Sequence, residues 1–310
     1  MKYLIFGKSS GWLAGKFNNF LEDSLISDVD ITDLPAIRRE LEEVGPEVVI
    51  NAAGVTGRPN IDWCEEHKLE TVAGNIAGAL NLELACAERD LYWVHLSSGC
   101  VFQGSGPYNK GFMEDDKPTP PSFYSCTKHW ADEILKNFPV LIIRLRLPID
   151  NEPNSRNLID KLAKYSRIID SENSMTVIPD LLFAMKKLME KRRTGVYHVV
   201  NPGTMRPSEI MMLYKELIDP NHQFEIISGD DLYKMGLAKA TRSNCVLNTG
   251  KLEEEGIILT PIQERIREIK LGNPELLQQM CLKRIKNLKP RHQRDIGRVI
   301  SLVKVFALLN

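Results

Sequence analysis

Four side chains near the middle of the sequence have types and spacings suited to chemistry at a carbonyl group. Ser98 and Cys100 follow an apolar run over residues 91–96, and Tyr124 and Lys128 lie four apart in a helical segment. Side chains alternate along an extended strand, so Ser98 and Cys100 are predicted to share a face. Residues four apart stack on one helix face. Together these groups could protonate a carbonyl oxygen and move a proton at a neighbouring carbon.

Reduction of a ketone requires a proton on oxygen, and the phenol is the expected donor. Free tyrosine titrates near pH ~10, and a lysine cation beside the phenol favours the phenolate and lowers that pKa. Ser98 would hydrogen-bond the same oxygen as charge develops on it. The Tyr124–Lys128 spacing alone is equally typical of an ordinary helix face. The nucleotide-binding pattern that precedes it favours the catalytic interpretation.

The N-terminal residues predict the element that would bring a cofactor to these groups. Residues 2–6 read as a strand, residues 7–15 as a glycine-rich loop, and a helical pattern follows to Phe20. Glycines let the backbone approach a pyrophosphate, and helix N–H groups meet its charge. Asp30 follows where a polar residue can meet the adenine side, but no acid is clearly placed for the ribose. The predicted cofactor contacts here are Gly7, Ser10, Gly11, Trp12, Leu13 and Asp30.

A third predicted strand, over residues 47–51, ends in small residues and then a polar loop. Small residues let a backbone pass close to a cofactor. The loop lies at the carboxyl end of a strand, where open α/β sheets bind ligands. Its arginine could hold a diphosphate, although a solvated turn is the alternative. We therefore predict cofactor contacts at Ala52, Ala53 and Gly54, and substrate contacts at Thr56 and Arg58.

Strands and helices alternate up to about residue 150, which predicts a parallel sheet with right-handed crossovers. The fold class is therefore α/β, a Rossmann-type doubly wound parallel sheet over residues 1–150. Residues 151–275 are predicted to form a smaller C-terminal substrate-binding lobe and the last sheet elements. Residues 276–310 form a basic tail, interpreted as a solvated or helical end, with a weak anionic contact as the alternative.

The composition excludes several classes of function. The chain of 310 residues has 40 basic and 41 acidic side chains, so nucleic-acid binding is not indicated. Six cysteines without a C-x-x-C pair indicate no metal site. No apolar run approaches the ~20 residues that span a bilayer. There is no signal peptide pattern, and we expect a cytoplasmic location with free thiols.

Several stretches together resemble the extended short-chain dehydrogenase/reductases. More narrowly, they resemble the bifunctional nucleotide-rhamnose synthase/epimerase-reductases of plants and giant viruses, with dTDP-4-dehydrorhamnose reductases as more distant relatives. The resemblance covers roughly residues 2–270. It is carried by residues 51–60 (NAAGVTGRPN), 62–65 (DWCE), 99–100 (GC), 123–125 (FYS), 173–176 (NSMT), 201–203 (NPG) and 242–244 (RSN).

The resemblance implies conversion of UDP-4-keto-6-deoxy-glucose to UDP-L-rhamnose with NADPH, leaving NADH open. Ser98, Tyr124 and Lys128 match the reductase triad, Cys100 matches the epimerase cysteine, and Lys161 falls at the second epimerase residue. One departure is the glycine loop, which is one residue longer than the family pattern and has Ala14 at the third glycine. The nucleotide-sugar is the expected partner, and a homodimer is left open.

Epimerisation uses the same ketone, because C3 and C5 both lie next to it and their protons are acidified. Cys100 is the candidate base, and Lys161 would activate the thiol and serve as the acid. Lys161 and Asn157 lie four apart on a predicted helix, and Arg242 belongs to a polar cluster that could close over a phosphorylated ligand. We therefore predict substrate contacts at Cys100, Asn157 and Arg242.

Two alternatives differ in what the chain catalyses. The first is a dTDP-4-dehydrorhamnose reductase without epimerase activity, against which Cys100 weighs because a reductase needs no thiol there. The second is a non-catalytic NADP-binding regulatory subunit, against which the intact Ser98, Tyr124 and Lys128 set weighs. The choice between UDP and dTDP stays open at this point.

Overall fold

The computed structural model describes residues 1–271, so the predicted basic tail over residues 276–310 lies outside the described residues. The described strands are β1 (Tyr3–Phe6), β2 (Ser24–Ser27), β3 (Val48–Asn51), β4 (Tyr92–Ser98), β5 (Leu141–Leu145), β6 (Pro148–Ile149), β7 (Arg167–Ile169), β8 (Asn173–Val177), β9 (Gly195–His198), β10 (Asn201–Met205) and β11 (Glu225–Ile227). The described helices are α1 (Trp12–Phe20), α2 (Leu34–Val44), α3 (Asp62–Glu66), α4 (Lys68–Val72), α5 (Gly78–Ala87), α6 (Phe123–Leu135), α7 (Leu158–Leu162), α8 (Ile178–Glu190), α9 (Pro207–Leu217), α10 (Gly229–Lys234), α11 (Gly250–Glu254) and α12 (Ile262–Leu271).

The main sheet confirms the predicted Rossmann-type architecture. Six parallel strands lie in the order β2-β1-β3-β4-β5-β9. β1, β3 and β5 are buried on both faces, as is typical of parallel sheets, whereas the edge strand β2 is partly exposed. The order reverses at β1, and the carboxyl ends of β1, β3 and β4 therefore meet at the edge where such sheets bind ligands.

Helices cover both faces of this sheet, because successive strand residues point to opposite sides. On one face, Ile5 and Ile143 pack with Phe17 of α1 and Met185 of α8. On the other face, α2, α5 and α6 bury side chains against the alternate strand positions. Asp33 caps α2 by accepting from Ala36 N at 3.0 Å.

The second half contains the last sheet elements and a smaller set of strands. β9 is the last strand of the main sheet and α8 packs against that sheet, whereas β10-β8-β6 form a three-stranded sheet and β11-β7 form a pair. A separate cluster of buried residues, including Met175, Ile210 and Ile266, holds these strands together with α7, α9 and α12. No helix within residues 1–271 is long and apolar enough to cross a membrane.

The helical segment between β3 and β4 is divided into several pieces. α3 and α4 meet at His67, and Ala73–Ala77 form a π-helical turn before α5. Asn75 is buried inside that turn. π-turns inside helices are frequent at functional sites.

Candidate active site

The glycine loop between β1 and α1 leaves no room for side chains at two of its glycines. A Cβ on Gly11 would lie 2.1 Å from the Gly7 carbonyl oxygen, and one on Gly7 would lie 2.9 Å from Ala14 Cβ. The extra residue is therefore accommodated in a tight loop, with Ala14 against Gly7. Gly11 precedes α1 without a side-chain cap. The first N–H groups of α1, at the predicted contacts Trp12 and Leu13, are thus directed outward to bind an anion.

Two acids lie beyond the end of β2, next to the glycine loop. Asp28 Oδ1 accepts from Ser9 N at 2.7 Å and from Ser9 Oγ at 3.0 Å, and these bonds lower the pKa of Asp28. The predicted Asp30 accepts from Thr32 N, and its carboxylate lies 3.6 Å from Lys8 Nζ. Sequence reasoning missed Asp28, because the apolar signal of β2 is too short to fix the end of the strand.

The loop after β3 is held by the buried amide of Asn75. Asn75 Oδ1 accepts from Val55 N at 2.8 Å, and Nδ2 donates to Val55 O at 2.9 Å and to Thr127 Oγ1 at 3.1 Å. A Cβ on Gly54 would lie 3.1 Å from Asn75 Oδ1, so the loop approaches the turn closely there. The π-turn therefore fixes the predicted ligand loop against α6, the helix that carries Tyr124 and Lys128.

Residues 54–58 line a cavity of about 320 Å³ together with Trp63 and Arg156. Arg156 Nη1 donates to Thr56 Oγ1 at 2.9 Å, which brings a guanidinium from the second half of the chain to this loop. Arg58 supplies a second guanidinium, and the Trp63 ring stacks on His67 with 3.9 Å between ring centroids. Two guanidinium groups suit an anionic ligand such as a diphosphate. Nothing in the sequence indicated that Arg156 would reach this loop.

Cys100 lies in a turn rather than in the strand. β4 ends at Ser98, and Gly99–Val101 form a 3₁₀ turn that Ser98 Oγ caps by accepting from Cys100 N at 3.2 Å. The prediction that Ser98 and Cys100 share a face of an extended strand is therefore wrong, because the backbone leaves the extended conformation at Gly99. The structure still brings the Cys100 thiol close to Tyr124, since it acts on the pKa of that phenol.

A hydrogen-bonded frame fixes the turn that carries Cys100. Cys245 Sγ donates to Gly99 O at 3.0 Å, and Cys245 N donates to Asn173 Oδ1 at 3.1 Å. Arg146 Nη2 donates to the same Asn173 oxygen at 2.7 Å and also to Ser243 O. Residues 173–176 (NSMT) and 242–244 (RSN) therefore help to hold the turn over Gly99–Val101 in place through Cys245 and Arg146. Their polar composition alone did not predict this role.

Tyr124 lies in the first turn of α6, which Ser122 caps by accepting from Ser125 N at 3.2 Å. Burial raises the pKa of the Tyr124 phenol and Cys100 raises it further, whereas a hydrogen bond with Ser98 and the charge of Arg146 lower it. The expectation that Lys128 depresses this pKa is therefore wrong for this structure, because burial dominates. A phenol that stays protonated is a suitable proton donor.

Lys128 points into the sheet one turn further along α6. Its Nζ donates to Leu96 O at 2.8 Å and lies 3.4 Å from His95 Nε2. Burial lowers the pKa of Lys128, and the charges of Asp132 and Cys100 oppose that effect. Sequence reasoning missed His95, because its strand reads as an apolar run in which a histidine is usually a core residue.

The remaining predicted residues lie in the second half of the chain. Lys161 is half-buried in α7, and burial lowers its pKa, with the charge of Arg156 acting in the same direction. Asn157 is the N-cap of α7, and its Nδ2 donates to Asp150 O and Glu152 O. Its amide therefore shapes the loop before Lys161. That it also contacts a substrate stays a prediction.

Arg242 is held in a two-bond ion pair. Its Nη1 donates to Asp62 Oδ1 at 2.8 Å and its Nη2 donates to Asp62 Oδ2 at 2.6 Å. Asp62 begins α3, immediately before Trp63 of the cavity, so Arg242 ties residues 239–245 to this edge of the site. The contact of Arg242 with a phosphorylated ligand stays a prediction.

Comparison with known proteins gives a consistent result. The model of the family described as RmlD substrate binding domain matches residues 16–269. The chain is 38% identical over 278 residues to a bifunctional dTDP-4-dehydrorhamnose 3,5-epimerase/dTDP-4-dehydrorhamnose reductase of Arabidopsis thaliana, covering 85% of this chain and 90% of that protein.

Two further relatives differ in length. The crystal structure of the UDP-rhamnose synthase of Acanthamoeba polyphaga mimivirus superposes with a TM-score of 0.82 at 33% identity, covering 87% of this chain and 98% of that one. A trifunctional UDP-glucose 4,6-dehydratase/UDP-4-keto-6-deoxy-D-glucose 3,5-epimerase/UDP-4-keto-L-rhamnose-reductase of Arabidopsis thaliana is 35% identical over 86% of this chain. The chain spans only 41% of that protein's length.

Proposed function

The chain belongs to the RmlD substrate binding domain family, and from this premise we propose that it reduces a nucleotide-linked 4-keto-6-deoxy sugar of the 4-dehydrorhamnose type. The arrangement of Ser98, Tyr124 and Lys128 at the carboxyl edge of a Rossmann-type sheet is the observation that carries the proposal. We propose in addition that Cys100 and Lys161 give the chain 3,5-epimerase activity, so that UDP-4-keto-6-deoxy-glucose becomes UDP-L-rhamnose.

The described residues fit a nicotinamide dinucleotide, and we propose NADPH as the cofactor. The glycine loop has no space for added side chains at Gly7 and Gly11, and the uncapped N-terminus of α1 is suited to a pyrophosphate. Ala52, Ala53 and Gly54 leave room beside it, and Lys128 would hold the nicotinamide ribose. The bound nucleotide would supply the hydride for the ketone carbon.

In the reduction, Tyr124 would donate its proton to O4 of the sugar. Burial raises the pKa of this phenol, so it is protonated at neutral pH and able to donate. Ser98 would donate a hydrogen bond to the same oxygen as negative charge develops there. The bond between Ser98 Oγ and Cys100 N fixes the backbone at this point.

In the epimerisation, Cys100 would remove the proton next to the ketone and Lys161 would return one on the opposite face. The thiolate is the base, and a cation close to a cysteine favours that form over the thiol. Lys161 has a pKa lowered by burial and by Arg156, which makes its proton easier to give up. The same residue thus suits the role of acid.

The cavity over residues 54–58 is the proposed position of the nucleotide diphosphate. Arg58 and Arg156 would both bind it, and Thr56 orients Arg156 through the 2.9 Å bond. Guanidinium groups recognise phosphate oxygens in pairs of parallel bonds. The geometry favours neither UDP nor dTDP, because no described contact reads the base.

One experiment tests the proposal. The protein is mixed with NADPH and UDP-4-keto-6-deoxy-glucose, and the product sugar is identified by NMR, with the dTDP-linked sugar in a parallel reaction. We expect NADPH oxidation and a rhamnose product. A protein that oxidises NADPH only with an already epimerised 4-keto sugar would be a reductase without epimerase activity. A protein that binds NADPH without turnover of either sugar would contradict the proposed function.

A further inference from the structure

His95 lies behind the Lys128 side chain and makes contacts through both ring nitrogens. Its Nδ1 is 3.1 Å from Asn51 Nδ2, and its Nε2 is 3.4 Å from Lys128 Nζ. The exposed fractions are 1% for His95, 0% for Asn51 and 4% for Lys128. Bulk water therefore does not compete for these bonds, and the polar atoms must satisfy one another.

The backbone fixes which way the Asn51 amide faces. Asn51 Oδ1 accepts from Ala53 N at 3.0 Å, and a backbone N–H can only donate. The amide nitrogen, a donor, therefore faces His95 Nδ1, which must accept. Because a neutral imidazole carries a single proton, that proton is on Nε2 of His95.

The Nε2–H group of His95 then points at Lys128 Nζ. An ammonium group has three donors and no acceptor, so two donors would face each other across this contact. A neutral amine has a lone pair that can accept the proton of Nε2–H in a hydrogen bond. The Leu96 carbonyl oxygen, 2.8 Å from Nζ, accepts from either form and does not discriminate between them.

We propose that His95 is a positioning residue that favours the neutral amine form of Lys128. Burial acts in the same direction, whereas Asp132 on α6 and Cys100 on the turn over Gly99–Val101 favour the ammonium form. The protonation state of Lys128 is therefore subject to opposing effects, and the contact with His95 adds to the side that favours the amine.

The consequence for the reaction rests on the proposed function. A Tyr124 that has given its proton to a ketone oxygen becomes a phenolate and must regain a proton. Each turnover consumes one proton from the solvent, and the ammonium form of Lys128 is the one that would relay it to the phenolate. By favouring the amine, His95 would therefore lower the pH below which this relay operates.

Nitrogen NMR of the full chain tests the tautomer without any substrate, because a ring nitrogen that carries a proton has a different ¹⁵N shift from one with a lone pair. We expect His95 to show Nε2 protonated and Nδ1 bare at neutral pH. In Asn51→Asp a carboxylate oxygen faces Nδ1 and can only accept, so the proton should move to Nδ1. A wild-type spectrum with the proton on Nδ1 would overturn the proposal.

The pH dependence of single-turnover NADPH oxidation tests the effect on Lys128. In His95→Gln the amide oxygen can turn towards the ammonium and accept from it, so the midpoint should rise by about one pH unit. His129→Gln is the matched control, since it changes the histidine next to Lys128 in α6 and leaves the His95 contact intact. An unchanged midpoint in His95→Gln would contradict the proposal.

A wild-type protein that oxidises no NADPH with either 4-keto sugar would instead count against the proposed function, and the NMR result would still decide the tautomer.

Discussion

The proposed reaction assigns Tyr124 and Cys100 to different steps. The phenol belongs to reduction, in which one proton reaches O4, and the thiol belongs to epimerisation, in which protons leave C3 and C5. A negative charge on Cys100 raises the pKa of Tyr124, so the phenolate is disfavoured while the thiolate is present. The two steps are therefore expected to use the site in turn and to be separable by substitution.

Tyr124→Phe removes the proton donor and keeps the ring in place. We expect NADPH oxidation with the 4-keto sugar to fall by at least about 100-fold, the usual contribution of a general acid. Uptake of solvent deuterium at C3 and C5, followed by mass spectrometry, should persist. Loss of both activities together in a folded variant would argue against two separable steps.

Cys100→Ala removes the proposed base while the turn over Gly99–Val101 keeps its backbone bonds. Deuterium uptake at C3 and C5 is expected to fall to the uncatalysed level, and NADPH binding measured by fluorescence should be unchanged. Cys245→Ala is the control, because that buried thiol supports the turn from behind through Gly99. Undiminished deuterium uptake in Cys100→Ala would remove the thiol from the mechanism.

Asp28 is the residue whose substitution we expect to change the preference between NADPH and NADH. It carries a negative charge at the end of β2, where Rossmann-type folds meet the adenosine ribose, and a negative charge there opposes a 2′-phosphate. In Asp28→Asn the remaining oxygen can still accept from Ser9, so the loop should keep its shape. We expect the ratio of kcat/KM for NADPH to that for NADH to rise about fivefold, the effect of one charge at short range in water.

The control for this measurement is Asp23→Asn. That substitution removes one charge at the opposite end of β2, before the strand begins, and should leave the cofactor ratio as in the wild type. Equal ratios in Asp28→Asn and in the wild type would show that the adenosine ribose does not approach this carboxylate.

At the scale of elements, the π-turn over Ala73–Ala77 determines the position of the loop after β3. An asparagine amide has both a donor and an acceptor, and Asn75 uses them on the backbone of a single residue, Val55. A regular α-helix would direct the side chain at this position differently, because the extra residue of the π-turn rotates it. The π-turn and the fixed position of the loop after β3 therefore both depend on Asn75.

Asn75→Ala should therefore affect both stability and substrate binding. Leaving the Val55 N–H and C=O without partners is expected to lower the free energy of unfolding by about 3 kcal/mol, measured with urea. KM for the nucleotide sugar should rise, because the loop that lines the cavity loses its support. Asn81→Ala is the matched control, since the Asn81 side chain in α5 donates one hydrogen bond, to Ile31 O at 3.0 Å. If Asn75→Ala behaves like Asn81→Ala, the loop is held by other contacts.

The sequence predicts the elements of this fold where an apolar run determines them. β1, β3 and β4 each contain an apolar run, and each was predicted within two residues. β8 and β10 were not predicted, because their side chains are polar and bond to the backbone across the sheet. Thr176 Oγ1 donates to Val199 O, and Asn201 Oδ1 accepts from Val177 N. Such bonds depend on tertiary contacts that no local pattern reveals.

The same limit applies to the site. Ser98, Tyr124 and Lys128 could be predicted because strand end, helix and four-residue spacing are local features. His95 and Arg156 could not, since each depends on a contact with a distant residue, Lys128 in one case and Thr56 in the other. Cys100 was predicted on an extended strand, whereas the structure places it in a 3₁₀ turn that begins at Gly99.

At the scale of the whole molecule, ion pairs and hydrogen bonds connect the main sheet to the second half of the chain around the site. Lys16 of α1 lies 2.6 Å from Asp150, just before the loop that carries Arg156. Asp62 binds Arg242 through both carboxylate oxygens and also accepts from Lys239 N and Ala240 N. These polar contacts surround the cavity and add to the apolar core that the two parts of the chain share.

Asp62→Asn tests this coupling, because an amide nitrogen would face Arg242 Nη2, a donor, and break half of the two-bond pair. We expect the free energy of unfolding to fall by about 1–2 kcal/mol, a value between those for exposed and buried ion pairs. KM for the nucleotide sugar should rise. Glu225→Gln is the control, since its pair with Arg167 is exposed and should contribute little.

The pH dependence of this difference follows from the direction of the Asp62 shift. Burial raises the pKa of Asp62, but hydrogen bonds from Arg242 and the backbone outweigh it and bring the pKa below its ordinary value. A carboxylate with a depressed pKa stabilises the fold above its unfolded pKa of about 3.9 and loses that effect as the pH falls through the folded value. The gap in unfolding free energy between wild type and Asp62→Asn should thus be full at pH 7 and shrink below about pH 4. If the difference in unfolding free energy stays constant from pH 7 to pH 3, the charge of Asp62 does not contribute to the stability of the fold.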